Sequence, residues 1–409
     1  MDLLTNSEAL LHCQQLSNRI DESIKNNAGW ISFATFMQHA LYDSELGYYN
    51  GGALKFGENG DFITAPEISP LFGATLAMTI APVIDYLSQG SGQATILEFG
   101  AGSGKLCQDI LTQLHQIQSL PQKYLILELS PNLIARQKER LLPFLTSKNI
   151  PVSIEWVTQM PEAMKGVVLA NEVLDAIPVD LIIKHQEEWF EWGVTIHSKP
   201  TSPSFSDHWQ FKRGAKIRPE NLPRYIQENP MLFSDGYITE HHVQAQAWIK
   251  HIASAFEQGV FLTLDYGFPG KEYYHPQRTE GTHIAHHRHQ AIPDMFYLPG
   301  LCDLTTHVEW TSLNQIACAH HLSLVYYQSQ GAYLLSAGIG DLFIASVDAS
   351  DPIASIKASH ALQKLISEAE MGELFKVIAW SANRSNDPNF DGLCATLPGF
   401  TGRQRPLQS

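Results

Sequence analysis

The chain has 409 residues, 44% hydrophobic and 17% charged, with 27 basic against 42 acidic side chains and a formal net charge of −15. That is enough apolar chain for one large domain with additions or for two domains, and the lack of a basic window argues against nucleic acid as the main partner. The five cysteines, Cys13, Cys107, Cys302, Cys318 and Cys394, form no CxxC pair, so reduced thiols are expected rather than a disulfide framework or a thiolate zinc site.

The start, "MDLLTNSEALLHCQQL", carries an acid at once and no basic n-region. Neither a secretory signal nor an Arg-rich presequence is expected there, and the expected location is the cytoplasm. Residues 1–92 read as a helical N-terminal cap. "SNRIDESIKNNAG" is amphipathic and ends at Asn27 and Gly29, and "ISFATFMQHALYDS" follows as a second helix. A long loop rich in Gly and aromatic residues runs through "GDFITAPEIS", and loops of this length without periodicity are often functional. "PLFGATLAMTIAPVIDYLSQG" reads as a helix whose apolar run, Leu71 to Ile84, is too short to span a bilayer, so no membrane insertion is expected.

From Ala94 strands alternate with helices, which predicts an α/β fold with a parallel, helix-covered sheet. The pattern gives strand 94–99, helix 104–118, strand 123–128, helix 131–143 and strands 152–156 and 166–170, making 93–180 the first part of the core. Residues 181–238 read as an inserted, β-rich segment. A second part of the core, 239–348, carries a helix at 239–257, the strand "GVFLTLDYG", an irregular loop over 268–304, a helix around 307–321 and strands 323–328 and 331–346. Residues 349–409 are expected to hold two helices, near 352–380, and a tail.

The glycine-rich stretch "ILEFGAGSGKL" sits between the first of these strands and its helix. Glycines there let backbone approach a ligand and expose helix-start N–H groups. A Walker A loop fails, because Gly104-Lys105 is followed by Leu106, and a GxSxG elbow fails around Ser103. The arrangement Glu98-x-Gly100-x-Gly102-x-Gly104 is instead the form seen in S-adenosylmethionine-dependent methyltransferases. Glu98 suits a cofactor that carries a sulfonium and an ammonium but no pyrophosphate. Glu128, ending the second strand in "YLILELSP", is placed to hold ribose hydroxyls or, alternatively, is a helix-start acid. Glu155 or Trp156 lies against an adenine or in the core.

The fourth strand ends in "LANEVLDAIPVD". Strand carboxyl ends line the crevice of such sheets, so Asn171, Glu172 and Asp175 are expected at the reacting end of the cofactor. Glu172 and Asp175 are i,i+3 neighbours, suited to grip a guanidinium in paired hydrogen bonds, or else form a helix-start charge pair.

The chain resembles the MidA-like family of S-adenosylmethionine-dependent methyltransferases, whose mitochondrial members are complex I assembly factors and protein arginine methyltransferases. The resemblance rests on "FMQHALYDSELGYY", "GDFITAPEISPLFG", "ILEFGAGSGKL", "YLILELSP", "LANEVLDAIPVD", "LDYG", "PGLCDLTTHVEW" and "MGELFKV". It implies a Rossmann-like, seven-stranded core, S-adenosyl-L-methionine as cofactor, and a protein substrate, an arginine of a complex I subunit. An assembly factor that binds the cofactor mainly to dock a client is the alternative. The resemblance places Gly100, Gly102, Gly104, Glu128 and Asn171 on the cofactor, and Glu172 and Asp175 at the transfer site. Asp61, Thr64, Pro66 and Glu67 either line the cofactor pocket or cap the sheet, and Tyr266 is an acceptor wall or packing. The run "THIAHHRHQ" lacks the pattern of a metal site. His289 lies either near the acceptor with Asp303 or in a solvated loop.

Overall fold

The computed structural model describes residues 7–51, 64–91, 94–198, 204–347, 350–402 and 404–407. Its centre is a seven-stranded sheet: β1 (Thr95–Phe99), β2 (Lys123–Leu127), β3 (Ser153–Val157), β4 (Met164–Asn171), β5 (Phe256–Phe268), β6 (Leu322–Ser329) and β7 (Phe375–Asn383). The order is 3-2-1-4-5-7-6, and a two-residue strand, Val308–Glu309, adds to the end of β5. Strands β3, β2, β1, β4 and β5 are parallel to their neighbours, while β7 runs antiparallel to both β5 and β6.

Alternation sorts each strand between two cores. Ile96, Val167, Leu169, Val260 and Leu262 pack under helices Pro70–Ser91 and Lys105–Gln116. Leu97, Phe99, Val168 and Phe261 face helices Val243–Ala255 and Trp310–Ala319. The stretch Pro70–Gln89 exceeds the 14-residue run read from sequence and has the length and apolarity of a membrane span. Here 67% of its most apolar window is buried inside the protein.

A second layer stands over the strand ends. Strands Asp180–His185, Glu188–Ile196, Trp209–Lys216 and Ile238–His241 form an antiparallel sheet, joined by Ile31–Ser32 through the pairs Ile31–Val194 and Ser32–Gly193. Helices Ser7–Asn26 and Phe33–Tyr42 pack on this sheet around Leu16, Phe36, Val194 and Trp209. The N-terminal helices and the insertion therefore share one core.

Four expectations differ from the structure. The strand expected at 331–346 is two helices, Gln330–Ser336 and Ile339–Ser346, separated at Gly338 with φ +90°. Of the two helices expected near 352–380, Pro352–Ile366 forms in full but the second is only the turn Met371–Leu374, because from Phe375 the chain is β7, whose "FKVIAWSAN" is buried along nearly its whole length and so shows no alternation to read. The loop expected over 268–304 contains a hairpin, Ile284–His287 and Gln290–Ile292, paired with Asp303–Thr305. The helix expected at 239–257 starts only at Val243, because Ile238–His241 joins the second sheet.

Candidate active site

Strand order reverses around β1, whose neighbours are β2 and β4, and a cleft of about 570 Å³ opens at the carboxyl ends of these strands. That is where doubly wound sheets hold ligands. The loop after β1 supplies the floor. Gly100, Gly102 and Gly104 have φ of +60°, +53° and +79°, left-handed values that glycine adopts without strain. Gly100 and Gly102 line the cleft. Gly104 sits behind them as the cap of helix Lys105–Gln116, where a Cβ would lie 3.3 Å from Leu141 Cδ1.

Glu98 lies at the base, buried, and accepts the Tyr124 hydroxyl at 2.7 Å; burial pushes it up to about 7 against that hydrogen bond. Glu128 is buried at the end of β2. Its Oε1 accepts the N–H groups of Leu129 and Ser130 at 3.0 Å, and its Oε2 accepts Gln137 Nε2 at 3.2 Å. Burial raises Glu128 as well, and these three bonds oppose the rise.

The turn after β4 carries the densest acidic cluster. Glu172 has φ +53°, a strained value for a non-glycine residue, held by its N–H on Leu264 O at 2.9 Å. Its Oε1 accepts Asn171 Nδ2 and the N–H of Ala65, both at 3.2 Å. Asp265 Oδ2 accepts three successive N–H groups, of Val173, Leu174 and Asp175, at 3.1, 2.9 and 3.2 Å, while Oδ1 accepts its neighbour Tyr266 N–H. Asp175 Oδ2 takes the Tyr266 hydroxyl at 2.6 Å, and its Oδ1 is buried without a hydrogen-bond partner among the described residues. Burial and then mutual repulsion raise Glu172 to about 8; burial takes Asp175 to about 6 and, with its carboxylate neighbours, lifts Asp265 well above the ordinary range. Burial and proximity therefore disfavour full ionisation of the cluster, and an entering cation would favour it.

The N-terminal part closes the cleft from above. Thr64, Pro66 and Glu67 line it, and Ala65–Ile68 forms a helical turn whose first N–H is the one on Glu172. Ser103 of the glycine loop donates its hydroxyl to Glu67 and accepts from Arg140 Nη1 at 3.1 Å. Tyr42 and Tyr49 also line the cleft, stacked at 5.4 Å. Tyr42 donates to Ala176 O at 3.0 Å and Tyr49 to Asp303 at 3.0 Å. Trp248 forms part of the opposite wall, edge-on to Phe99 at 4.9 Å.

The structure thus brings Glu98, Gly100, Gly102, Glu128, Asn171, Glu172, Thr64, Pro66 and Glu67 to one cleft. Asp175 lies buried behind the lining, on Tyr266. His289 is not brought there: it is exposed at the tip of the hairpin, with φ +62°, and is not among the residues lining the cleft. Asp61 lies outside the described residues. The other histidines of the run meet separate partners. His283 Nδ1 lies 2.9 Å from buried Glu240, His287 Nδ1 3.0 Å from Leu301 O and His286 Nδ1 3.3 Å from Thr305 Oγ1. Among the described residues no His, Cys, Asp or Glu group is arranged to hold a metal.

Sequence reasoning assigned no role to Gln137, Tyr42, Tyr49 or Trp248. Tyr42 and Tyr49 fall within "FMQHALYDSELGYY", so a sequence cue existed; Gln137 and Trp248 sit in helices with no cue beyond amphipathicity.

Residues 75–328 match a family described as "Putative S-adenosyl-L-methionine-dependent methyltransferase". A crystal structure of a superfamily member from Burkholderia thailandensis bound to S-adenosyl-homocysteine is 39% identical, covers 98% of this chain and 97% of its own, and superposes with a TM-score of 0.85. Protein arginine methyltransferase NDUFAF7, mitochondrial, from Danio rerio is 27% identical over 380 residues, 85% of this chain and 82% of its own length. The Homo sapiens protein of the same name is 27% identical over 383 residues, 86% and 80% respectively.

Proposed function

The chain belongs to this S-adenosyl-L-methionine-dependent methyltransferase family, and from that premise we propose that it methylates an arginine of a protein substrate. The cleft fits the cofactor on three counts. Left-handed Gly100 and Gly102 admit close approach of a ligand to backbone. Glu128 is oriented by three donors with lone pairs left for a diol. Asn171, in the lining, keeps a buried Oδ1 with no hydrogen-bond partner among the described residues. When bound, the cofactor supplies an electrophilic methyl group on a sulfonium.

The observation that carries the arginine reading is the carboxyl cluster at the end of β4. Glu172 faces the cleft, and Asp175, one oxygen without a partner among the described residues, stands behind it. A guanidinium offers five N–H donors in a planar fork; Glu172 can accept from it directly in the cleft, and Asp175 adds negative charge from behind. With one nitrogen aligned, most of the rate gain is positional. Glu172, raised to about 8, is matched to receive the proton that the nitrogen releases on methylation. The names of the Danio rerio and Homo sapiens relatives support the same substrate class.

The finer reading, a complex I subunit as substrate, rests on the resemblance of the motifs to assembly factors of that complex. A cytoplasmic site of action is supported by five cysteines that form no disulfide, four of them buried. Incubation with labelled cofactor and cell extract tests the proposal. Label in a protein band, recovered as methylarginine, is expected. Label in low-mass material alone, or none in protein, overturns it.

A further inference from the structure

Outside the groups already assigned, one fully buried side chain makes two polar contacts with residues lining the cleft and a third with the end of β3. Gln137, in helix Pro131–Lys148, is 0% exposed. Its Nε2 donates to Gly102 O at 3.0 Å and to Glu128 Oε2 at 3.2 Å. Its Oε1 accepts the indole N–H of Trp156 at 2.8 Å. An indole nitrogen can only donate, so the amide oxygen must face Trp156 and the NH2 must face the glycine loop and the β2 acid. The amide orientation is therefore set by chemistry. Trp156 comes from the end of β3, and its ring also carries Lys138 Nζ at 5.2 Å. The resulting relay runs from β3 through Gln137 to the end of β2 and to the loop after β1, and each bond fixes the next.

The geometry points to Gln137 as a positioning residue for the cofactor, with Trp156 as the residue that orients it. Gln137 turns the Glu128 carboxylate so that its remaining lone pairs meet the ribose diol, and it pins the glycine loop through Gly102 O. This inference rests on the cofactor assignment above. Without the amide, Glu128 keeps its two backbone N–H bonds on Oε1 but loses the one on Oε2, so its plane is free to rotate.

The test is calorimetric titration of the full chain with S-adenosyl-homocysteine and with its analogue lacking the ribose hydroxyls. Wild type is expected to bind the first and to discriminate strongly against the second. Q137M keeps the volume and removes the polar atoms. It is expected to weaken S-adenosyl-homocysteine binding about 10- to 100-fold, the range for losing a hydrogen bond to a charged group, and to narrow discrimination against the analogue. W156F is expected to act in the same direction, less strongly, and Q137M/W156F to be no worse than Q137M alone, because the two act in series. Should Q137M fail to fold, W156F and the discrimination ratio decide. Unchanged affinity and discrimination in the folded variants, or additive effects in the double variant, would overturn the inference. No binding by wild type would instead remove the cofactor assignment, so the two failures are distinguishable.

Discussion

The N–H of Ala65 rests on Oε1 of Glu172, 3.2 Å away across 107 residues of sequence. A contact between the N-terminal segment and the acid after β4 makes Glu172 a group that is held in place as well as charged. Glu172→Gln keeps an oxygen for Ala65 and Asn171 but removes the negative charge. Methyl transfer is expected to fall about 100-fold or more, as for loss of a general base or an ionic partner. The dissociation constant for S-adenosyl-homocysteine is expected to change by no more than about threefold, since one hydrogen bond at most is altered. Equal losses in both would place Glu172 on the cofactor instead of the acceptor.

Stability is expected to fall as pH rises from about 6.5 to 8.5. Glu98 and Glu172 are raised by burial to about 7 and about 8, so the folded state holds protons that the unfolded chain has released above its ordinary carboxyl pKa. The native state then binds more protons than the unfolded one, and the stability these groups give below pH 4.5 is lost as pH climbs through the raised values. His241, His242 and His307, pushed down by burial to about 4, work the other way but finish their contribution near pH 6.5. Above that pH the carboxyls decide the slope. Melting temperatures across this window check it, and Glu172→Gln is expected to flatten the decline. A melting temperature that rises over the same window contradicts the assignment of protonated carboxyls. Methyl transfer is expected to increase as pH rises through about 8, because a cation binds the ionised cluster.

The parallel half of the sheet and its glycine loop were legible because their requirements are local. A left-handed φ calls for glycine at 100, 102 and 104, and strand ends are marked by the acids Glu98 and Glu128. What sequence did not convey was pairing over distance. Tyr49 meets Asp303 254 residues away, and Ile31 pairs with Val194, so the N-terminal helices had no readable destination. β7 failed for another reason: a strand buried on both faces has the same apolar density as a buried helix. Gln137 was invisible because its role depends on Trp156 and Gly102, which only the fold brings together.

Substituting the loop glycines should separate backbone strain from ligand contact. At Gly104, with φ +79°, alanine costs roughly 1–2 kcal/mol for the left-handed conformation, and its Cβ would press on the flexible end of Leu141. At Gly100, with φ +60°, the same conformational cost applies and the Cβ would meet Val173 Cγ2 at 3.3 Å. Gly100 lines the cleft and Gly104 does not. Urea unfolding should therefore show similar losses for Gly100→Ala and Gly104→Ala, while S-adenosyl-homocysteine affinity falls more in Gly100→Ala. A larger affinity loss at 104 would move the contact surface of the loop.

Asp265 is the group that makes the strained turn possible. Three N–H groups from residues 173–175 converge on one of its oxygens and a fourth reaches the other, a pattern that a carboxylate satisfies and an amide cannot, since one of the amide's two heads is a donor. Asp265→Asn is therefore expected to cost about 2 kcal/mol, the range for leaving buried N–H donors poorly paired. The loss should be concentrated in the turn. Hydrogen exchange is expected to accelerate at the amides of Val173, Leu174 and Asp175, with β1 and β2 unaffected, and methyl transfer to fall further than stability alone accounts for, because Glu172 loses its fixed φ. Unchanged protection at those three amides would show that the turn is held by the β4 and β5 backbones alone, leaving Asp265 as one more buried acid.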